Sequence, residues 1–369
     1  MRNDRRIIAI ADDITGAAEI AGIAHSHGLG VSLFCGSCCC AAAQQPSPTP
    51  QVTVVATDTR SMSAAEAISE THRVASSFPI PHTSFLIYKK TDSALRGHVV
   101  AELRALMEAT GYGRAVYLPA NPSKGRIIRA GTYYINNKPI HETDFSFDPE
   151  FPARTSSLKA HFPDAEACGI LMPDAETTDD IRRVVAQYND GQTLFAGAAD
   201  LFTVWLESSC TSRMPKPPET SRTFSSSTLI LCGSTQSRAL NLGIPVAPMP
   251  CAIYDGADDL NLWDITAYNA VHSLILTIPH THRTGKEVAV HLRTIMAEMT
   301  KRLVSCHRPD RLIIEGGATA WATLNALGWT ALEIERQVAS GVVQMRAPNG
   351  TLVTLKPGSY PWGGLFGKE

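Results

Sequence analysis

The side chains best suited to chemistry fall in short polar clusters, each directly after an apolar run. Asp12 and Asp13 follow Ile7, Ile8, Ala9 and Ile10 and precede Thr15, Gly16 and an Ala-rich stretch. Paired carboxylates there can hold a hydroxylated substrate or a metal ion; equally, one can cap a helix while the other faces water. A second cluster, Thr57, Asp58, Thr59, Arg60 and Ser61, follows the run VTVVA. The Arg60 guanidinium is a fork-shaped donor for a carboxylate or phosphate, or for a nearby surface acid. The third and densest is Lys89, Lys90, Thr91, Asp92, Ser93, Ala94, Leu95, Arg96, Gly97 and His98. It reads as a polyol-acid or phosphate cradle beside a helix N-terminus, or else as a solvated turn with incidental charges.

The elements that carry these clusters follow from the apolar spacing. Four apolar residues at 7–10 are too few for a helix and suit a strand buried on both faces, as in a parallel sheet. The Ala-rich run 16–24 is then a helix, which Thr15 can cap. Strands at 31–34, 52–56, 85–88 and 116–119 and helices at 64–76 and 99–109 continue the alternation. Open parallel sheets bind ligands at the carboxyl ends of their strands, where all three clusters lie. The loop holding Lys124 and Arg126 is followed by a hairpin over 126–140, with RIIRAGTYYI and KPI flanking Asn136 and Asn137. His141, Glu142, Thr143 and Asp144 either line a site or form a polar loop. From Gly169 two more strand-to-helix units follow.

Residues 209–227, rich in Ser, Thr and Pro, read as a linker between domains at 1–208 and 228–369. Beyond it a strand at 228–232 ends in Gly233, Ser234 and Thr235, with a helix from about Arg238. A strand at 273–277 and a long amphipathic helix at 285–303 come next. A strand at 311–314 then leads into Glu315, Gly316, Gly317, Ala318 and Thr319, which open another helix. Two such turns in one half suit phosphate at backbone N–H groups and point to a nucleotide site, although single glycine turns often serve only tight reversals. There is no GxxxxGK[ST], and no GxGxxG follows the first strand.

A chain of 369 residues is long for one core, so two domains are expected. The formal net charge of -2, with 18% charged residues, offers no long-range attraction to nucleic acid or anionic membrane. No run of about 18 apolar residues occurs, and MRNDRR lacks the h-region of a secretory signal, so a cytoplasmic protein without membrane partners is expected. Nine cysteines, with Cys35, Cys38, Cys39 and Cys40 clustered, argue against a disulfide framework. Cys35 and Cys38 have ligand spacing, but no second pair accompanies them, and no metal site is expected. The fold class is α/β: two domains, each a mainly parallel sheet flanked by helices, with a β-hairpin inserted in the N-terminal domain.

The motifs resemble those of the four-carbon acid sugar kinases, the domain-of-unknown-function 1537 proteins. ADDITGAAEIA is similar to their ADDxTGAxDxA, KKTDSALRGH to K-x-D-S-T-L-R-G-N, PANPSKGR to P-A-x-P-x-x-G-R, HETDFSFDP to H-E-T-x-x-x-x-D-P, and GGATAWATLNALG to the C-terminal G-G-x-T-A. They fall in the family's order along nearly the whole chain. The resemblance implies transfer of phosphate from ATP, with Mg²⁺, to the terminal hydroxyl of a threonate, erythronate or 3-oxo relative. It implies substrate binding by Asp12 or Asp13, Arg60, Lys90, Thr91, Asp92 and Ser93, with Arg96 in the same turn. It implies ATP binding by Ser234, Gly316, Gly317, Ala318, Thr319 and Gly358. Arg60 or Lys90 then pairs the substrate carboxylate and Asp13 is the expected base, with Asp12 and Asp92 behind it. Ala94 and His98 replace the family's Thr and Asn, and Lys356, Pro357, Gly358, Ser359 and Tyr360 stand where K-S-G-N-F-G is usual. A non-catalytic sugar-acid or nucleotide sensor is the alternative. The expected partners are the sugar acid and ATP, with a homo-oligomer open.

Overall fold

The computed structural model describes residues 6–36, 50–78, 85–148, 150–209, 227–233, 240–279, 285–358 and 362–366. Cys38, Cys39, Cys40, Ser234 and Arg238, and the linker read at 209–227 except its two end residues, lie outside the described residues. The chain divides into two compact units, Met1–Lys216 and Pro217–Glu369.

In the first unit, strand β1 (Arg6–Ala11) leads into helix α1 (Ile14–Ser26), followed by β2 (Val31–Cys35), β3 (Val52–Ala56), α2 (Ala64–Ser76), β4 (Phe85–Lys90), α3 (Val99–Thr110) and β5 (Arg114–Leu118). After an inserted small sheet come β9 (Ile170–Leu171), α4 (Thr178–Tyr188), β10 (Thr193–Gly197) and α5 (Ala199–Ser209). The strand order is β2-β3-β1-β4-β10-β5-β9, and every pairing is parallel. All of β1 beyond Arg6 is buried, as an apolar strand covered on both faces must be. Helix α2 packs on α3, while α1 and α4 pack on α5. The chain moves from β1 to one side through β2 and β3, then crosses to β4 on the other side. Strand β1 therefore marks the switch point beside which such sheets open a crevice.

Two local expectations are corrected. Helix α1 is capped by Asp13, not Thr15: Asp13 is extended (φ -146°) and accepts from the Gly16 N–H at 2.8 Å. The Thr15 hydroxyl instead donates to Asp13 Oδ2 at 2.5 Å. The segment RIIRAGTYYI is two strands, β6 (Arg126–Arg129) and β7 (Thr132–Ile135), because Ala130 and Gly131 both take positive φ (47° and 69°) and reverse the chain. A second reversal at Asn136 and Asn137 (φ 50° and 63°) adds β8 (Lys138–Pro139), giving a three-stranded meander.

The second unit carries β11 (Thr228–Cys232), β12 (Val246–Pro248), β13 (Leu274–Thr277), α6 (Lys286–Cys306), β14 (Arg311–Glu315), α7 (Gly317–Ala326), β15 (Ala331–Ala339), β16 (Val342–Arg346) and β17 (Leu352–Lys356). Its order is β12-β13-β11-β14-β17-β16-β15. The first five strands pair in parallel and β15, β16 and β17 form an antiparallel meander. The core between sheet and C-terminal segment gathers Ile230, Cys232, Ile275, Ile313, Trp362 and Leu365.

Candidate functional site

Three parallel strands end level with one another in the first unit: Ala11 pairs with Ala56 of β3 and with Lys90 of β4. The polar clusters that follow these strands are therefore brought together by register alone. Arg60 is their hub. Its Nε and Nη2 donate to Asp12 Oδ2 at 3.0 and 2.9 Å, its Nη1 donates to Asp13 Oδ2 at 3.2 Å, and Nη1 lies 3.7 Å from Asp92 Oδ1.

The three aspartates are not equivalent. Asp13 is committed to its cap and to Thr15 and Arg60. Burial works against its charge, but Arg60, Lys90 and the two local hydrogen bonds hold its carboxyl below the usual range. Asp92 fixes its own turn, accepting from the Ala94 N–H at 2.8 Å and, through both oxygens, from Arg96 Nε at 3.0 Å and Nη2 at 2.9 Å. Against its burial, Arg96, Arg60 and Arg126 hold it well below the ordinary carboxylate range. Asp12 differs: burial dominates and raises its pKa despite Arg60. Its Oδ1 is buried without a hydrogen-bond partner among the described residues. A buried carboxylate with a spare oxygen and a raised pKa can accept a proton from a bound hydroxyl group.

Lys89 and Lys90 are adjacent in a buried strand, so they point to opposite faces of the sheet. Each meets a carboxylate from a helix on its own side. Lys89 Nζ donates to Glu102 of α3 at 2.6 Å, both side chains being 1% exposed. Glu102 also accepts from Thr59 at 2.7 Å, next to Arg60 in the chain. Lys90 Nζ lies 3.6 Å from Glu19 of α1 and donates to the Thr91 carbonyl at 3.0 Å. Glu19 also accepts from Lys124 at 2.6 Å. Burial opposes the charge of Glu19, and the two lysines hold its carboxyl below the usual range. Gly16 is required here, since a Cβ would sit 2.6 Å from Asp13 Oδ1 and 3.2 Å from Lys90 Nζ.

The meander borders the same turn. Tyr133 donates its hydroxyl proton to the Ser93 carbonyl and Arg126 Nη1 donates to the Ser93 hydroxyl. Arg96 and Arg126 each lie 5.7 Å from the centroid of the Phe145 ring, and Arg96 Nη1 reaches Asp148 at 3.4 Å. Thr91 is buried, and its N–H donates to the Gly197 carbonyl at 3.1 Å. Asp12, Asp13, Arg60, Lys90, Thr91, Asp92, Ser93 and Arg96 thus converge. Lys124 and Arg126, noted in their loop but not assigned to a site, join them, as do Glu19, Glu102, Tyr133 and Asp148, which were not singled out from the sequence. The available signal was a lone carboxylate in an otherwise largely apolar helix, as at Glu19, since such a group is buried only when paired.

The second unit has its own cluster at strand ends. Glu315 and Lys356 pair across β14 and β17, both buried, with Lys356 Nζ donating to Glu315 Oε1 at 2.5 Å. Lys356 also donates to the carbonyls of Pro357 at 3.1 Å and Gly358 at 3.3 Å, and lies 4.7 Å from the Trp362 ring centroid. Gly316 (φ 100°) turns the chain into α7, which has no side-chain cap. Gly316 and Gly317 are half-buried, Ala318 is exposed and Thr319 is buried. Gly233 is a close approach: a Cβ there would meet Thr319 Oγ1 at 2.1 Å. Burial and the adjacent Glu315 push the Cys232 thiol up to about 12, so it is an inert core group. Among the described residues no helix is long and apolar enough to cross a membrane.

Residues 7–171 match the family described as a sugar-binding N-terminal domain, and residues 267–360 match a nucleotide-binding C-terminal domain. The D-threonate kinase of Salmonella typhimurium is 33% identical over 42% of this chain and 35% of its own length. That of Bordetella bronchiseptica is 32% identical over 48% and 43%. The matched stretch thus spans less than half the length of these two relatives. The 3-oxo-tetronate kinase of Methylobacterium radiotolerans is 21% identical over 97% of both chains. The solved Haemophilus influenzae protein HI1011, of the DUF1537 family, has TM-score 0.66 at 18% identity, covering 97% of this chain and 98% of its own. At that identity the likeness speaks for the fold alone. With matches to the sugar-binding and nucleotide-binding domain families in order along one chain, and relatives of this kind, the protein belongs to the four-carbon acid sugar kinase family.

Proposed function

We propose that this chain is a phosphotransferase that moves the γ-phosphoryl group of ATP to the terminal (4-) hydroxyl of a four-carbon acid sugar. The observation that carries this reading is the buried, unpartnered Oδ1 of Asp12 at the switch point of the first sheet. Asp12 is a better base than Asp13, contrary to the expectation from sequence: the Asp13 oxygens serve the α1 cap, Thr15 and Arg60. Asp92 is a positioning group, since both its oxygens are engaged by its own turn and Arg96.

The second unit supports nucleotide binding. The opening N–H groups of α7 lack a side-chain cap, and Gly316, Gly317 and Gly358 carry no Cβ between backbone and ligand. Gly316, Gly317, Ala318, Thr319 and Gly358 would hold the phosphates, with Ser234 assigned from the family resemblance. Lys356 is spent on Glu315 and its own loop, so it braces that loop. Mg²⁺, implied by the family resemblance, would be carried on the phosphates of ATP. Bound there, the ion would supply neutralisation of charge on the transferred group, a large part of what a kinase needs. The relatives named D-threonate, D-erythronate and 3-oxo-tetronate kinases define the substrates to test. ADP release is measured with Mg·ATP and each of these acids, with Asp12→Asn as control. Turnover with one acid, lost in the control, is expected. Binding of acid and ATP without turnover in the unaltered chain would instead favour a sensor.

A further inference from the structure

We propose that Arg126 is the residue that reads the carboxylate of the sugar acid, an inference that rests on the sugar-acid reading above. Arg60 is shared by Asp12, Asp13 and Asp92, and Arg96 by Asp92 and Asp148. Lys90 and Lys124 both face Glu19, and Lys89 is closed off with Glu102. Arg126 is half-buried at the same place, yet among the described residues no carboxylate forms a direct ion pair with it: its charge is felt by Asp92, whose oxygens Arg96 and Arg60 already engage. Its contacts are the neutral hydroxyl of Ser93 and the face of the Phe145 ring. The other cations near the Ser93 turn already contact a carboxylate directly, so a substrate carboxylate gains most at the one whose fork is not engaged by an acid.

Placement supports the same assignment. Arg126 begins β6, and its backbone is pinned by two hydrogen bonds to Asn121, at 2.8 and 3.2 Å, just beyond the carboxyl end of β5. The backbone thus holds the guanidinium beside Ser93, and the Phe145 ring limits its swing. A four-carbon acid with its carboxylate on Arg126 extends its hydroxyl groups toward the aspartate end of the cluster. This moves the carboxylate away from Arg60 and Lys90, to which sequence reasoning gave it.

The test is calorimetric binding of D-threonate and D-erythronate, and of the uncharged tetritols threitol and erythritol, to the full chain and its Arg126→Gln and Arg126→Lys variants. The unaltered chain is expected to prefer one acid over its tetritol by at least about tenfold. Arg126→Gln is expected to weaken that acid by on the order of 10- to 100-fold, leave the tetritol within about twofold and leave ATP binding unchanged. Arg126→Lys, which keeps the charge without the fork, falls between them and carries the comparison if the Gln variant melts early. Retained acid preference in Arg126→Gln, equal weakening of acid and tetritol, loss of ATP binding alone, or no acid bound by the unaltered chain would each overturn the assignment. Acid binding that depends on Arg126 without ADP release would sink the kinase reading and leave this inference standing.

Discussion

Asparagine in place of Asp12 and of Asp92 should affect this protein in opposite ways, though the two carboxylates share Arg60. Asp12 has its pKa raised by burial, so its ionised form opposes folding, and its favourable contribution to stability fades as pH rises through the folded-state value. Asp12→Asn removes that charge and keeps one oxygen for Arg60, so its stability at pH 7 should stay within about 1 kcal/mol of the parent. Asp92 is depressed well below the ordinary range, so it stabilises the fold above the unfolded carboxylate value of about 4, and that stability is lost as pH falls through the folded value. Asp92→Asn gives up the charge partner of Arg96 and part of that of Arg60. Arg96 is 30% exposed, so solvent screening discounts that pair, and about 2–4 kcal/mol is expected in total. For a unit of this size that is a melting shift of roughly 5–15 °C. Turnover inverts the order: loss of the base should lower kcat by about 10²–10⁴ in Asp12→Asn. In the parent, kcat/KM should decline on the acid side at a pH above the ordinary aspartate range. Thermal melts at pH 7 with steady-state ADP release decide the matter. An Asp12→Asn that melts as early as Asp92→Asn, or that keeps its turnover, refutes the assignment.

Gly16→Ala puts a methyl group 2.6 Å from Asp13 Oδ1, so the α1 cap must open; a loss of about 1–2 kcal/mol is expected by urea titration, and an unchanged midpoint would count against it. Glu315→Gln strands the Lys356 ammonium, which is 2% exposed, and should destabilise the second unit by about 3–5 kcal/mol. Glu315→Leu with Lys356→Met should recover most of that, and a double variant as weak as the single one would contradict the account. Tyr133→Phe frees the Ser93 carbonyl from its donor; sugar-acid KM should rise with ATP KM unchanged, at a stability loss of about 1 kcal/mol. Equal movement of both KM values would assign Tyr133 to general packing.

The elements of the first unit were legible because their signals are local. The run at 7–10 is part of β1, and residues 64–76 form α2 to the residue, closed by a Ser63–Glu66 capping box. What failed lacked such signals. Ala130 is a poor marker for a residue at positive φ, so β6 and β7 read as one strand. Of the C-terminal meander only the last strand, in TLVTLK, is legible; β15 carries irregularities between Ile334 and Arg336 and between Gln337 and Ala339, which break the alternation that marks a half-buried strand. Of the site, sequence reasoning found the residues next to strand ends, since their position along the chain is their position in the crevice. It missed those reaching in from helices and the meander. Glu19 and Lys124 are 105 residues apart, and spacing cannot reveal a contact of that kind.

The two adjacent lysines explain why so few residues at three strand ends make one site. A buried strand with both faces covered has no room for an unpaired ammonium, and two consecutive lysines send one charge to each face. Each face must then supply a carboxylate: Glu102 from α3 and Glu19 from α1. Those carboxylates do more than neutralise. Glu102 holds Thr59, whose neighbour Arg60 binds Asp12 and Asp13; Glu19 holds Lys124, two residues before Arg126. The rows meet again at Asp92, which Arg60 approaches from one side and Arg96 grips from the other. The pairs that make buried lysines tolerable therefore also set the positions of the groups of the candidate site. A change at Glu102 should reach the aspartates through Thr59 and Arg60, while a change at Glu19 should reach the meander through Lys124.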